Sequence, residues 1–550
     1  MKSTPKAPWR LFALAVAGAA YAAALAAPAP GPRDATVPDD ATLVASGAVI
    51  GRITIVTDDI FDTDDPAEGN LVFRVANRLH VRTRPAVIEH QLSFRQGDPY
   101  SRAALEESER LLRGSGYLYE ATIRPVRWDG RNVDIEVRTR DVWTLKAGVG
   151  FGRSGGTNRS HFGLQDANFL GTGKDLLIRQ RSSVDRTETL YHFADPGVFG
   201  SHARFSLDDS QNSDGYLQRV ALERPFWRLD SRWAAGIVAQ RGERIDTRYA
   251  LGSVTDSFRR QHTFGQVYGG YSPGRSGRFV RRYTAGFTVD RDIFGAAPGF
   301  DAPALIPGNR ELSYPWLAFD LLEDGFVRVR DREKIGRTED VNMGQELHAQ
   351  LGYASPAFGS DRQAALLDLA WNLGLRPGPG RSLLLSVAGS GRAESGGMQD
   401  GLASASARYY GRTPTGSLWY ASLGGQAGLR LQPDHQVTLG GDNGLRGYPL
   451  RYATGDRSLL LTLEKRFYRE HEYFHLFRVG AAIFADVGRA WGGSDPSAHL
   501  GTLGDVGLGL RLGQSRSAHA SIIRFDLAFP FTREPGIRGS QFLVSTGVNF

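Results

Sequence analysis

From about residue 141 to the end of the chain, apolar and polar residues alternate over long stretches. Residues 283–289, 365–375, 419–431 and 506–512 carry apolar residues or glycine at every second position. These stretches are about 7–13 residues long, which brackets the roughly 9–11 residues that a tilted transmembrane strand needs. Because hydrocarbon offers no partner to backbone N–H and C=O groups, such strands are stable in a bilayer only as a closed barrel. The pattern therefore predicts an all-β transmembrane barrel over residues 141–550.

A soluble β-sandwich would also alternate, but with shorter strands and more frequent turns. The 67 glycines among 550 residues and the aromatic content of 10% suit long barrel strands better. At about 25 residues for each strand with its connection, the region 141–550 is expected to form about 16 antiparallel strands, an even number as in other single-chain barrels.

The chain ends inside the last predicted strand, residues 540–550. One face of this strand is apolar and aromatic: Phe542, Val544, Val548 and Phe550. An aromatic residue at the end of such a strand is typical of bacterial outer-membrane barrels. Gly547 lies inside the same strand, where glycine weakens pairing. We therefore expect a weak seam where this strand meets the first barrel strand, predicted near residues 143–151.

The start of the chain predicts export. Lys2, Lys6 and Arg10 precede an apolar run over residues 11–26, and Ala24-Leu25-Ala26 fits a cleavage site. Residues 1–26 are therefore expected to be a secretory signal peptide. An uncleaved anchor helix is the alternative, but the run is shorter than the ~20 residues that span a bilayer. Residues 27–47, rich in Pro, Ala and Asp, are expected to form a linker.

Composition excludes several classes of site. The chain has no cysteine, so disulfides, Cys-ligated zinc, thiol catalysis and a lipoprotein anchor are excluded. A net charge of +7 over 550 residues is too weak to indicate a nucleic-acid partner.

Residues 48–140 predict a small α+β domain before the barrel. Apolar residues alternate over 49–56, as in a half-buried strand, and Leu71, Val75 and Leu79 fit a helical face. A second helix is expected from Ser101 to Gly114. Residues 119–128 and 132–138 flank Asp129-Gly130, which predicts a hairpin with a two-residue turn.

Two motifs near the C-terminus carry a resemblance to a known family. Gly444-Leu445-Arg446-Gly447-Tyr448 resembles the R-G-[FY] loop of the BamA/TamA superfamily of outer-membrane assembly and translocation barrels (the bacterial surface antigen family). Phe484-Ala485-Asp486-Val487-Gly488 resembles its F-x-D-x-G strand motif, and residues 163–173 are similar to its early barrel hairpin. The domain before the barrel resembles a POTRA module, of which residues 48–140 have room for one.

The resemblance implies how the motif residues meet. The apolar face of residues 479–487 must face lipid, so Phe484, Asp486 and Gly488 are expected in the lumen, and the same parity places Glu464 there. In the family the loop arginine, here Arg446, is implied to pair with the strand aspartate; Glu464 lies within plausible reach as a second partner. The alternative is that both carboxylates are simply solvated in the lumen.

Several catalytic signals are weak. Residues 152–156 and 270–274 match G-x-S-x-G, but a nucleophile elbow needs a strand before the serine and a helix after it. Residues 171–174 lack the spacing of a phosphate-binding P-loop. His471 and His475 lie beside strand residues and fit a polar loop. We expect no enzyme activity, no cofactor and no metal site.

The predicted function follows from the resemblance. The POTRA-like domain, in the periplasm, would capture an extended client by strand addition at its sheet edge. The barrel seam or lumen would then pass the client on. The expected partners are the outer-membrane lipid bilayer, unfolded client proteins or one secreted partner, and accessory assembly proteins.

Insertion, secretion and lipid handling stay open within that class, including a dedicated two-partner-secretion-type transporter. A passive outer-membrane porin is the main alternative class, and an outer-membrane enzyme is a third.

Overall fold

The computed structural model describes residues 37–299, 305–493, 500–515, 522–532, 534 and 536–546. The predicted signal peptide, linker residues 27–36, Gly547, Val548 and Phe550 lie outside the described residues. In the described part, no helix is both long and apolar enough to cross a membrane.

The first elements form a small α+β domain around one three-stranded sheet. Its elements are α1 (Asp40–Ala45), β1 (Val49–Asp58), α2 (Leu71–Leu79), α3 (Pro85–His90), α4 (Arg102–Gly114), β2 (Leu118–Trp128) and β3 (Asn132–Asp141). The strand order is β1-β3-β2, with β1 parallel and β2 antiparallel to β3. Leu105 and Leu112 of α4 pack against Ile123, Val133 and Ile135 of the sheet. This cluster is the core of the domain.

Local signals explain where these elements begin and turn. The side chain of Asn70 accepts from the N–H of Phe73 at 3.0 Å and caps α2. Asp129 turns the β2–β3 hairpin by accepting from the backbone N–H groups of Asn132 and Arg131 at 2.6 and 3.0 Å. These two hydrogen bonds, of which the one from Asn132 has the larger effect, lower the pKa of the Asp129 carboxyl to about 2.

The remaining strands form a closed barrel and three smaller pairings. The barrel strands before the connection over residues 324–344 are β4 (Leu145–Ser154), β5 (Thr157–Phe169), β6 (Lys174–Ser182), β7 (Thr187–Asp195), β8 (Arg204–Asn212), β9 (Gly215–Arg224), β10 (Trp233–Ala250), β11 (Ser253–Tyr271), β13 (Phe279–Ala296) and β14 (Arg310–Glu323). Those after it are β17 (Gln345–Ala354), β18 (Ala364–Gly378), β19 (Arg381–Glu394), β20 (Gly397–Arg412), β21 (Leu418–Leu429), β24 (Arg457–Tyr473), β25 (Phe477–Trp491), β26 (Leu503–Gln514), β27 (Ile522–Pro530) and β28 (Gln541–Thr546).

Five short strands lie outside this count: β12 (Arg275–Ser276), which pairs with the start of β13, β15 (Phe326–Arg330) with β16 (Thr338–Asn342), and β22 (Val437–Leu439) with β23 (Ala453–Gly455). Short 3-10 helices cover Val198–Gly200 and Pro356–Phe358.

The described wall has 20 antiparallel strands, so the prediction of about 16 is wrong. The estimate assumed uniform spacing of about 25 residues. Strands β4 to β9 occupy only residues 145–224, which is 80 residues for six strands, because their connections are two to eight residues long. Short connections let a barrel of this length close with more strands.

The two faces of the wall differ in chemistry. On β25, Ile483 and Val487 point outward and are exposed, whereas Phe484 and Asp486 point into the lumen and are buried. Exposed outward side chains elsewhere on the wall are also apolar, such as Val149, Phe162 and Leu508. An apolar outer belt of this kind suits contact with lipid.

The α+β domain sits on one end of the barrel, which we call the proximal end. The N–H of Arg84 donates to the carbonyl of Gly171 in the β5–β6 turn at 3.0 Å. Glu107 of α4 accepts from the N–H of Leu229 in the β9–β10 turn at 2.7 Å. These contacts with separate turns hold the domain across the proximal mouth. The opposite end is the distal end.

Two segments enter the barrel from opposite ends. Residues 440–452, which we call the distal loop, connect β22 to β23 and turn into the lumen. They meet the β4–β5 turn so closely that a Cβ on Gly155, at φ +53°, would clash with the backbone nitrogen of Leu450. Residues 326–342, which we call the proximal hairpin, comprise β15, β16 and the tip between them.

Candidate functional site

The tip of the distal loop is fixed by one buried arginine. Arg446 binds Asp486 of β25 through two parallel hydrogen bonds, from Nε at 2.7 Å and from Nη2 at 3.0 Å. Its Nη1 donates to Glu464 of β24 at 2.8 Å and lies 3.4 Å from Asp526 of β27. The guanidinium carbon stands 3.4 Å from the centre of the Phe484 ring. The structure therefore brings together Arg446, Asp486, Glu464 and Phe484.

The residues after Arg446 fasten the loop to the next strand. The N–H of Gly447 donates to Asp505 of β26 at 3.0 Å, and a Cβ there would lie 2.8 Å from the Cβ of Asp505. Glycine is required because a side chain has no room. The Tyr448 hydroxyl donates to the carbonyl of Gly504 at 2.9 Å and is fully buried. At Gly488, the last residue of the strand motif, a Cβ would lie 3.1 Å from Leu460, so this glycine faces Leu460 rather than the arginine.

Three of the eight charged residues of this buried cluster were identified from the sequence. Its carboxylates are Glu464, Asp486, Asp505 and Asp526, and its guanidinium groups are Arg446, Arg466, Arg511 and Arg524, all buried. The cluster therefore brings four carboxyl and four guanidinium groups together in one buried region, where a charge needs an opposite partner. The signal was available, because Asp505 and Arg511 occupy positions opposite in parity to the outward residues Val506, Leu508 and Leu510.

The buried cluster continues to the tip of the proximal hairpin. Arg466 donates from Nε to the second oxygen of Glu464 at 2.7 Å and from Nη1 to the carbonyl of Arg332 at 3.1 Å. Arg332 also hydrogen-bonds Ser382 of β19 and lies 4.3 Å over the ring of Tyr410 of β20. The hairpin tip therefore reaches the lumen side of the wall strands.

The α+β domain holds the strands of the same hairpin and the tip residue next to β16. Arg113 of α4 binds Asp340 through two hydrogen bonds of 2.7 and 2.8 Å, and Arg328 pairs with Glu109. Arg337 donates to the carbonyl of Leu118 on β2 at 3.1 Å. A continuous set of polar contacts thus links α4, the hairpin, Glu464 and the distal loop. No sequence motif pointed to this hairpin.

The seam between the last and first strands is sparsely paired in the described residues. One registered pair joins β28 to β4, Val544 with Arg153, whereas β25 and β26 share 12. Phe542 points outward on the same face as Val544. The first barrel strand runs over Leu145–Ser154, slightly later than expected.

A cavity of about 340 Å³ lies between the distal loop and this seam. Its lining joins the two sites, because it includes Arg446 and Asp526 of the buried cluster together with Gly152 and Val544 of the seam. The loop and the seam are therefore neighbours in the lumen.

The two serine motifs and one group of possible metal ligands lack the geometry that catalysis or metal binding needs. Ser154 is followed by β5 and Ser272 by β12, whereas a nucleophile elbow needs a helix. His262, Asp290 and Asp292 are close enough to share a metal ion. Asp292, however, already accepts from Arg260 at 2.6 Å and from Arg310 at 2.9 Å, which leaves a cation little to bind.

A protein-family model matches part of the α+β domain. The family model described as POTRA, Surface antigen variable number repeat, matches residues 79–140. No curated protein matches this chain. Together with the closed barrel, the match confirms the predicted arrangement of a POTRA module before a barrel.

Three solved structures are similar over most of the chain. BamA from Haemophilus ducreyi lacking POTRA domains 1–3 is 13% identical, with 90% of this chain and 84% of that chain covered and a TM-score of 0.40. CdiB from Acinetobacter baumannii is 11% identical, with 91% and 73% covered and a TM-score of 0.44. CdiB from Escherichia coli is 13% identical, with 90% and 76% covered and a TM-score of 0.45.

Proposed function

With a POTRA module set directly before a closed barrel, we propose that this chain is an outer-membrane protein that inserts or translocates client polypeptides. The POTRA domain would lie in the periplasm, so that the proximal end of the barrel is the periplasmic end. The observation that carries the proposal is the POTRA match on a domain docked across the barrel mouth. The protein would act by binding and opening, without an enzymatic step.

Client capture would take place at the edge of β1. The other edge of the sheet, β2, is already engaged, because Glu109 accepts from the N–H of Ile123 at 2.7 Å and Arg113 donates to the carbonyl of Ala121 at 3.2 Å. Pro125 further blunts that edge, since it has no N–H to donate. Beyond Arg52, residues 53–58 of β1 have only β3 as a backbone partner among the described residues. An added strand could pair there.

A photo-crosslinking residue at Thr54, exposed on β1, tests this site. We expect it to trap an unfolded client in cells, while the same residue at Arg124, exposed on β2, does not. Equal trapping at both positions would contradict capture at the β1 edge.

Client release would take place at the seam rather than through an open lumen. The distal loop and the proximal hairpin both cross the lumen and are joined through Glu464 and Arg466. A porin needs a continuous aqueous path, and these two segments obstruct one. Among the described residues, β28 and β4 share the fewest registered pairs of any two neighbouring wall strands, so the wall would open there most easily.

The proposal is tested by comparing outer-membrane and secreted proteomes of cells with and without this gene. Loss of many barrel proteins would indicate general insertion, and loss of one secreted protein would indicate a dedicated transporter. Unchanged outer-membrane and secreted proteomes would contradict the proposal and favour the porin.

A further inference from the structure

Helix α2 of the POTRA domain turns its most apolar face outward. Four side chains on this face are exposed: Leu71 by 68%, Val72 by 72%, Val75 by 45% and Leu79 by 70%. At 100° per residue they fall within an arc of about 100°. The opposite side of the helix carries Phe73, which is buried, and Asn77, which hydrogen-bonds the backbone of Phe61 at 2.8 and 3.1 Å.

Helix α4 of the same domain buries its apolar face, and the comparison shows that the exposed apolar face of α2 is unusual. Its apolar side chains Leu105 and Leu112 are completely buried against the sheet. In α2 the apolar arc faces away from the domain core, so its partner is not in the described part of this chain. An apolar arc that a soluble domain leaves uncovered marks an interaction surface.

The position of α2 identifies the partner. Just before the helix, Glu68 lies 3.7 Å from His475 in the β24–β25 turn, and Phe73 packs edge-on against the same ring. Just after it, Thr83 accepts from Asn168 at 2.7 Å beside the β5–β6 turn. Between these two turns the wall consists of β25 to β28, β4 and β5. The helix therefore runs along the proximal rim, beneath the wall that contains the seam.

The rim itself is apolar on its outer side. Phe474 is 81% exposed in the β24–β25 turn, and Leu170 is exposed in the β5–β6 turn. Leu145 continues this surface onto the outward face of β4. The opposite side of α2 packs on the domain core and on His475 of the rim, so the apolar arc lies on the free side of the helix, next to this apolar rim.

The charges beside the arc fit a lipid surface with anionic headgroups. Arg74 and Arg78 are exposed and lie next to the arc on the helix. Neither has an ion-pair partner among the residues that the structure describes. Apolar side chains flanked by arginine are the pattern of a helix that lies in a membrane interface.

We propose that α2 is an interfacial helix that lies in the proximal leaflet of the membrane next to the β28–β4 seam, with Arg74 and Arg78 on phospholipid headgroups. It fixes the POTRA domain against the bilayer beside the two strands that share one registered pair among the described residues. The occupant of the arc is a phospholipid surface. An unfolded client is the competing occupant.

The absence of native cysteine allows a direct test with the full chain in nanodiscs. An environment-sensitive fluorophore is attached to Val75→Cys on α2 or, as control, to Glu106→Cys, an exposed polar position on α4. Nanodiscs contain phosphatidylglycerol, phosphatidylethanolamine and spin-labelled phospholipid. We expect at least two-fold stronger quenching at position 75 than at position 106. Replacing Arg74 and Arg78 by glutamine should make the quenching at position 75 independent of the phosphatidylglycerol content of the nanodisc.

Equal quenching at the two positions would overturn the proposal. The proposal would also be overturned if the fluorophore at position 75 reported an apolar environment only after an unfolded β-barrel polypeptide was added. That result would assign the apolar arc to client binding.

Discussion

The distal loop and the seam are neighbours in the lumen but are held in opposite ways. Arg446 makes hydrogen bonds to two strands and approaches a third, inside a cluster of four carboxylates and four guanidinium groups. The seam has one registered pair between described residues of β28 and β4. Structures open first where pairing and burial are least. The proposed function uses this difference: the loop would stay in place while the wall opens beside it.

The largest effect is expected from removing the loop arginine. Arg446→Ala would leave Asp486 buried without its arginine, while Glu464 would keep Arg466; the loss costs ~3–5 kcal/mol for a shielded pair. Water in the lumen would lower that figure, so we expect the lower half of the range. The loop should become sensitive to protease and client assembly should fall.

A control for this variant lies on the same loop. Arg451 pairs with Asp185 at 2.8 Å, but both side chains are partly exposed. Arg451→Ala should therefore cost at most ~1 kcal/mol. If both variants kept the loop protected and the clients assembled, Arg446 would have no locking role.

A smaller effect is expected at the proximal hairpin, where the comparison can be sharpened. Asp340→Asn weakens the two hydrogen bonds from Arg113. The free energy that holds the hairpin to α4 should therefore fall by ~1–2 kcal/mol. Modification of a cysteine placed at Lys334 would report release of the tip. Glu136→Gln weakens a partly exposed pair with Arg124 and serves as control. An unchanged modification rate in Asp340→Asn would show that the contact with the α+β domain does not hold the hairpin tip in place.

The seam itself should show its weakness without any mutation. Hydrogen exchange of the amides of β28 is expected to be faster than that of β26, which has registered partners on both sides. Exchange of both strands at the same rate would remove the contrast between the loop and the seam.

The smallest effect is expected from pH at the proximal contact. Burial and then the nearby charges of His90 and three arginines lower the pKa of His202 to about 4. His202 stacks between His90 and Trp227. A base with a lowered pKa supports docking fully above its ordinary pKa of about 6.5 and loses that support as pH falls toward 4.

Docking of the domain should therefore weaken between pH 6.5 and 4. Energy transfer between dyes on α4 and on the β9–β10 turn, followed in urea, measures it. His202→Phe keeps the stack and should flatten the pH dependence. An identical pH dependence in that variant would assign the effect to another group.

The sequence predicted the kind of fold well and its dimensions poorly. Alternation revealed the barrel because a lipid-facing wall must alternate, but it did not reveal the short spacing of β4 to β9 that raises the count to 20. The proximal hairpin was missed because Val327 and Val329 alternate as a wall strand would. Only contacts distant in sequence, such as Arg328 with Glu109, place it in the mouth.

The candidate site was predictable in part. The motifs pointed to Arg446, Asp486 and Glu464, and the structure places them in contact, while their role in function stays a prediction. Asp526 belongs to no motif and emerged only from the fold. The spacing of Leu71, Val75 and Leu79 did predict a helix, but not that its apolar face would lie outward.

One measurement tests most directly whether the wall opens at the seam. Cysteines replacing Arg153 and Val544 would face each other across it at a separation that a disulfide can bridge. Ile483→Cys with Leu508→Cys forms the same kind of bridge within the well-paired wall and serves as control. We predict that oxidation stops client assembly only in the seam variant and that reduction restores it. Normal client assembly by the oxidised seam variant would contradict the account.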